Sequence, residues 1–118
     1  MNYLYIGLLR GLVTGVPTLG LVEVPGIGTN YRRVEMGPFD WIKQNEFISN
    51  IATIKFPIAL SGWGVITHFG VFDLPCGGSI LVTGKLTEQS IVNKDTQMQF
   101  DKISVELSSL KLDRRQDD

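Results

Sequence analysis

The chain has 118 residues, of which 43% are apolar and 19% charged, and its formal net charge is -1. That length suits one domain with a real core, and the near-zero charge excludes nucleic-acid binding driven by phosphate contacts, which needs a clustered positive surface. The lone cysteine, Cys76, excludes an internal disulfide, and the low charged fraction leans toward a surface that packs against other subunits.

Tyr3 to Val22 is mostly apolar, with Gly7, Gly11 and Gly15 spaced as in a membrane-helix dimer face. Arg10 and Pro17 interrupt that run, and glycines at 11, 15 and 20 work against any helix. The expectation is therefore no membrane partner. A signal peptide is not expected either, since the basic start and the small-residue cleavage site are missing. Tyr3 to Leu9 reads as a first strand and Leu19 to Val24 as a short second one, with Leu12 to Leu21 as an arm or loop that orders on a neighbour. Pro25 to Asn30 is a loop. Tyr31 to Met36 follows as a strand, placing Tyr31, Arg33 and Glu35 on one side and Arg32, Val34 and Met36 on the other.

Gly37-Pro38 breaks that strand, and Phe39 to Glu46 reads as irregular or one helical turn, with Trp41 packed on the core. Phe47 to Ile51 and Ala52 to Phe56 read as extended, the second with Ala52, Ile54 and Phe56 inward and Pro57 as its end. The chain is organised around Trp63 to Asp73, a long period-two segment in which Gly64 and Gly70 leave gaps on one side. Such glycines mark close backbone approach or bending. Asp73 to Gly78 turns the chain and Ile80 to Leu86 returns as the second strand of a hairpin. Polar turn signals occupy Thr87 to Asp95. Thr96 to Leu107 is a final long strand whose inward phase slips between Phe100 and Ile103, as at a β-bulge at Asp101-Lys102. The fold class is all-β: an antiparallel β-sandwich, with a jelly roll as one topology it could take, in a single domain over residues 1–110. Residues 111–118 (KLDRRQDD) form a charged, mobile tail.

Catalytic chemistry has no foothold in this pattern. His68 is the only histidine and sits in mid-strand, as a core or interface residue does; with Cys76 it supplies at most two of the four ligands a structural zinc needs. Ser61 and Ser79 lack the nucleophile-elbow motif. Gly84-Lys85-Leu86-Thr87 lacks both the opening glycine and the helix of a phosphate loop. Asn93-Lys94-Asp95 is a turn and too short for a calcium loop. The chain is expected to be no enzyme and to use no cofactor or metal. The candidate interface residues are Tyr31, Arg32, Arg33, Trp41, Trp63 and His68. Their aromatic members Tyr31, Trp41 and Trp63, with Tyr3 and Tyr5, could build the core and its rim or form a platform for a sugar or polypeptide, and the arginines could pair with a carboxylate across subunits.

The chain resembles a family of small structural proteins of tailed phages and prophages, described as virion or tail-associated proteins. The residues that carry the resemblance begin with Leu4 to Leu9, Glu23-Val24, Tyr31 to Val34, Ser49-Asn50 and Ile54 to Pro57. They continue with Trp63 to Asp73, Gly77-Gly78, Gly84 to Thr87 and Val92 to Thr96, and the Trp63 to Asp73 motif is the most specific. Arg10 to Gly20 and the KLDRRQDD tail depart from the family pattern. The resemblance implies an all-β module of the virion with no catalytic residues. Its partners would be other virion structural proteins and further copies of itself, in capsid decoration, the neck or the tail. The alternative is a receptor- or glycan-binding module of a tail fibre or baseplate, with a host-surface glycan as partner.

Overall fold

The computed structural model describes residues 3–11 and 21–106, in ten strands and one 3₁₀ turn. The Leu12 to Leu21 arm, apart from Leu21 itself, and the 111–118 tail lie outside the described residues. A five-stranded antiparallel sheet is built from β1 (Leu4–Gly11), β2 (Leu21–Glu23), β3 (Val34–Met36), β7 (Gly64–Phe72) and β8 (Ile80–Val92). Its order is β2-β1-β7-β8, with β3 on the same edge of β1 as β2 but further toward the start of that strand. A three-stranded sheet has the order β10-β5-β4, from Ser104–Glu106, Phe47–Asn50 and Trp41–Gln44. A two-stranded sheet pairs β6 (Ile54–Ile58) with β9 (Gln97–Phe100).

The all-β class is as expected, whereas the closed sandwich or jelly roll is not what forms, because the strands divide among three sheets. The pairing of the later strands is nevertheless nested: β7 with β8, β6 with β9 outside them, and β5 with β10 outside those. Residues 47–106 thus fold as one long hairpin whose tip is the turn after Phe72. All three sheets feed a common core that includes Ile6, Leu8 and Val71 from the large sheet, Ile48 and Val105 from the second, and Ile54 and Phe56 from the third. Aromatic rings carry the core from sheet to sheet. Trp63 meets Tyr31 edge-on at 5.4 Å, Tyr31 stacks with Phe56 at 6.4 Å, and Phe100 meets both Phe56 and Phe69 edge-on at 5.9 and 6.2 Å.

The organising strand is where the pattern put it, and its glycines do what gaps allow. Gly7 of β1 and Gly70 of β7 face each other across the sheet, and the Phe72 ring lies over both. Gly84 of β8 is paired with Phe69 and covered by its ring. The return strand runs to Val92, past the polar stretch expected to be a turn. Ile66 pairs with Ser90 and His68 with Lys85, so residues 86–89 stand opposite Thr67 alone. The polar signal there marks a wide bulge within the strand. Ile66 fills the core before this irregularity, and Phe69 and Val71 fill it after.

Three further elements differ from their expected form. Phe39 to Glu46 contains a 3₁₀ turn at Pro38–Asp40 and then β4, closed on β5 by the two-residue loop Asn45-Glu46 with Asn45 at φ 56°. Pro57 does not end β6; the register slips between Lys55 and Ile58, which lets a residue without an N–H sit inside the strand. The phase slip near Asp101 is a corner and not a bulge, since β9 ends at Phe100 in one sheet and β10 starts at Ser104 in another. Asn50 holds that corner. Fully buried, it accepts the Ile103 N–H at 2.8 Å through Oδ1 and donates from Nδ2 to the Ala52 and Asp101 carbonyls at 2.7 and 3.0 Å.

Asn50→Ala leaves the Ile103 amide and two carbonyls without that partner, and a buried unmatched polar group costs about 1–3 kcal/mol. Urea denaturation should show a loss in this range. A loss below about 0.5 kcal/mol would mean that the corner is held by packing alone.

Candidate functional site

The edge of β1 has a gap. β3 pairs with Leu4 to Ile6, β2 pairs with Leu9 to Gly11, and between them lie Gly7 and then Leu8. The Leu8 carbonyl accepts the Val24 N–H at 3.2 Å, and its buried N–H donates to the Tyr31 hydroxyl at 2.9 Å. The Tyr31 hydroxyl in turn donates to Glu23 Oε2 at 2.5 Å. Arg33 closes the network with a two-pronged pair, Nε to Oε2 at 2.9 Å and Nη2 to Oε1 at 2.8 Å. Its Nη1 donates to the carbonyls of Leu74 and Gly77 in the turn after β7, at 2.8 and 2.9 Å. The guanidinium lies 3.6 Å from the centre of the Phe72 ring, an arrangement worth about 0.5–2 kcal/mol depending on desolvation. Arg33 thus joins β2, β7 and the hairpin tip, and its side chain is 7% exposed.

Gly7 makes room for this plug. A Cβ there would come within 2.8 Å of Glu23 Oε2, the Phe72 ring and the Tyr31 hydroxyl. Burial, and then the hydrogen bond to Glu23, push the Tyr31 hydroxyl pKa well above the usual tyrosine value, and the Glu23 carboxylate raises that of Arg33. Tyr31 stays a neutral donor and Arg33 a fixed cation throughout the physiological range.

The six candidate residues fall into different settings. Tyr31 and Arg33 belong to the plug. Trp63 is fully buried with its Nε1 donating to the Thr29 carbonyl at 2.9 Å, and Trp41 is buried with its Nε1 unpartnered among the described residues. These rings build the core rather than an open platform. His68 is half-buried with Nδ1 2.8 Å from the Thr67 hydroxyl, and burial together with Lys85 lowers its pKa, so it is neutral at pH 7. Arg32 alone of the six is exposed. The carboxylate expected across a subunit boundary is, for Arg33, supplied by Glu23 of the same chain.

Around Arg32 the surface is concave. Arg32, Arg33, Tyr5, Glu35, Lys55 and Gln97 help to line a groove of about 540 Å³. A smaller hollow of about 200 Å³ shares Arg32 and Arg33 with it and reaches Glu23 and Cys76. Tyr5, a member of the expected aromatic platform, does reach this groove, whereas sequence reasoning missed Lys55 and Gln97, which come from β6 and β9. A larger hollow of about 700 Å³ lies beside the β8 bulge and the 98–104 corner, and it contains none of the six candidates. Among the described residues, no group of three or more His, Cys, Asp or Glu side chains could hold a metal ion, and no helix is long and apolar enough to cross a membrane.

Two substitutions test the plug. Tyr31→Phe should cost about 1–3 kcal/mol at pH 7 by stranding the Leu8 N–H. It should also flatten the alkaline limb of stability. The wild-type hydroxyl holds its proton more tightly folded than unfolded, so its contribution is complete below about pH 10 and falls as the unfolded tyrosine ionises above it. Gly7→Ala should destabilise by about 1–3 kcal/mol through overpacking. Melts across pH 7 to 11.5 read both, and an alkaline limb unchanged in Tyr31→Phe would contradict the assignment.

A comparison with curated proteins finds no match. The family model described as podophage GP4 fiber I protein gp80 matches residues 4–108, which takes in every described strand. A fibre family agrees with the expectation of a β-rich structural protein of the virion that is not an enzyme. The chain belongs to the podophage GP4 fiber I protein gp80 family.

Proposed function

We propose that this fibre protein is a host-contacting module that presents the groove around Arg32 to a surface receptor or glycan. One observation carries the reading: an open groove with charged side chains in its lining lies beside a buried plug that ties one of its walls to the hairpin tip. A recognition surface that needs little reordering loses less binding energy to entropy. The family supports a fibre location and gives no support to capsid decoration or the neck. The aromatic platform expected from Trp41, Trp63 and Tyr31 is replaced in this reading, because those rings are buried.

A second reading, subunit contact within the fibre as one domain of repeated copies, is favoured by the exposed apolar side chains. Ile27 is 95% and Phe39 91% exposed, and Ile51, Leu60 and Ile91 are each at least 60% exposed. Apolar side chains of this size mark an association surface where they gather into one patch.

The two readings separate by experiment. Purified full-length protein added before infection should reduce adsorption of the parent phage to its host, and absence of competition at saturating protein would contradict the host-contact role. For subunit contact, light scattering should give a closed oligomer whose mass falls in Ile27→Asp or Phe39→Asp, whereas a monomeric wild type would oppose that reading.

A further inference from the structure

Arg32 and Lys55 line the same groove, both exposed. The one ion pair among the described residues, Arg33 with Glu23, involves neither of them. The groove also holds the Glu35 carboxylate and the Gln97 carboxamide. Gln97 Nε2 donates to the Phe56 carbonyl at 2.9 Å, which fixes the amide and leaves its oxygen as an acceptor. Tyr5, Pro57 and Pro75 supply ring surfaces. Arg33 gives the wall its shape, since its donors are directed to Glu23, Leu74 and Gly77.

We propose that this groove binds an acidic saccharide, with the sugar carboxylate held between Arg32 and Lys55 and its hydroxyls on Glu35 and Gln97. The proposal rests on the host-contact reading above and names its ligand class. Two cations that form no ion pair among the described residues attract an anion, and an arginine fork matches a carboxylate. A bare phosphate or sulfate has acceptors only and would meet the Glu35 carboxylate unfavourably. Sugar hydroxyls both donate and accept, so they suit a lining in which acceptors stand beside donors. An extended acidic peptide gains from a row of backbone N–H groups, and Pro57 and Pro75 have none to give. The volume of about 540 Å³ is that of a small-ligand site.

The test is calorimetric titration of the full-length protein with hexuronate and sialyl oligosaccharides, each paired with its carboxyl-reduced form and set against an acidic hexapeptide. The double variant Arg32→Gln/Lys55→Gln, checked for an unchanged melt, is titrated in parallel. One acidic sugar should bind at least about tenfold more tightly than its reduced form, with affinity falling as salt rises. The double variant should lose at least about tenfold of that affinity. Equal binding of acidic and reduced sugars, full affinity in the double variant, or stronger binding of the peptide would each overturn the acidic-saccharide site. Those results leave adsorption competition by the wild type intact. Failure of that competition overturns the host-contact reading itself.

Discussion

The structure depends on how one strand edge is completed. β1 is the inner strand of the large sheet, and two short strands share its outer edge without meeting. An unmatched N–H in that gap would cost about as much as a typical destabilising mutation. The chain answers with a tyrosine hydroxyl, itself anchored to a carboxylate that a two-pronged arginine holds in place. Each member makes sense only with the others. Glu23 keeps the hydroxyl oriented, Arg33 neutralises Glu23, and Gly7 leaves the space in which all of them meet Phe72.

This arrangement links the core to the surface. Tyr31 belongs to the aromatic chain between the sheets, while its hydroxyl reaches the β1 edge. Arg33 carries the connection outward to the hairpin tip, where it binds two turn carbonyls. Its neighbour Arg32 is exposed and lines the same groove. Adjacent arginines, just ahead of β3, thus serve two tasks: Arg33 holds the fold, and Arg32 is left at a groove whose wall Arg33 has fixed. The isolated Arg33–Glu23 pair would contribute at most about 1 kcal/mol at an open surface. Its weight comes from the bonds it shares with the turn and with Tyr31.

Much of the fold was legible where local pattern decides. The organising strand, its hairpin partner, the burial of Trp41 and the turn at Asn93 to Asp95 follow from period-two alternation and turn chemistry. The glycine gaps were also readable as sites of close approach, though not that Phe72 of the same strand fills the one at Gly70 and the Arg10 side chain the one at Gly64. Other signals were real but served a different purpose. The polar stretch after Leu86 is a bulge because β8 re-pairs with β7 beyond it, and the slip at Asp101 is a corner because the chain changes sheets. Which of these occurs depends on a partner strand distant in sequence. The site was less legible for the same reason. Glu23 lies 8 and 10 residues from Tyr31 and Arg33, and the turn carbonyls lie 41 and 44 residues from Arg33. The placement of Tyr31 and Arg33 on one side was readable, and a glutamate on a neighbouring short strand was the available hint. Lys55 and Gln97 reach the groove only through the β6–β9 pairing.

The most direct test of this account is amide hydrogen exchange at Leu8, followed by NMR on the native protein. If the Tyr31 hydroxyl completes the β1 edge, the Leu8 N–H exchanges only on global unfolding, with protection equal to that of the most protected core amides. Exchange at the rate of a solvated strand edge, while those core amides stay protected, would show that the gap is open and contradict the account.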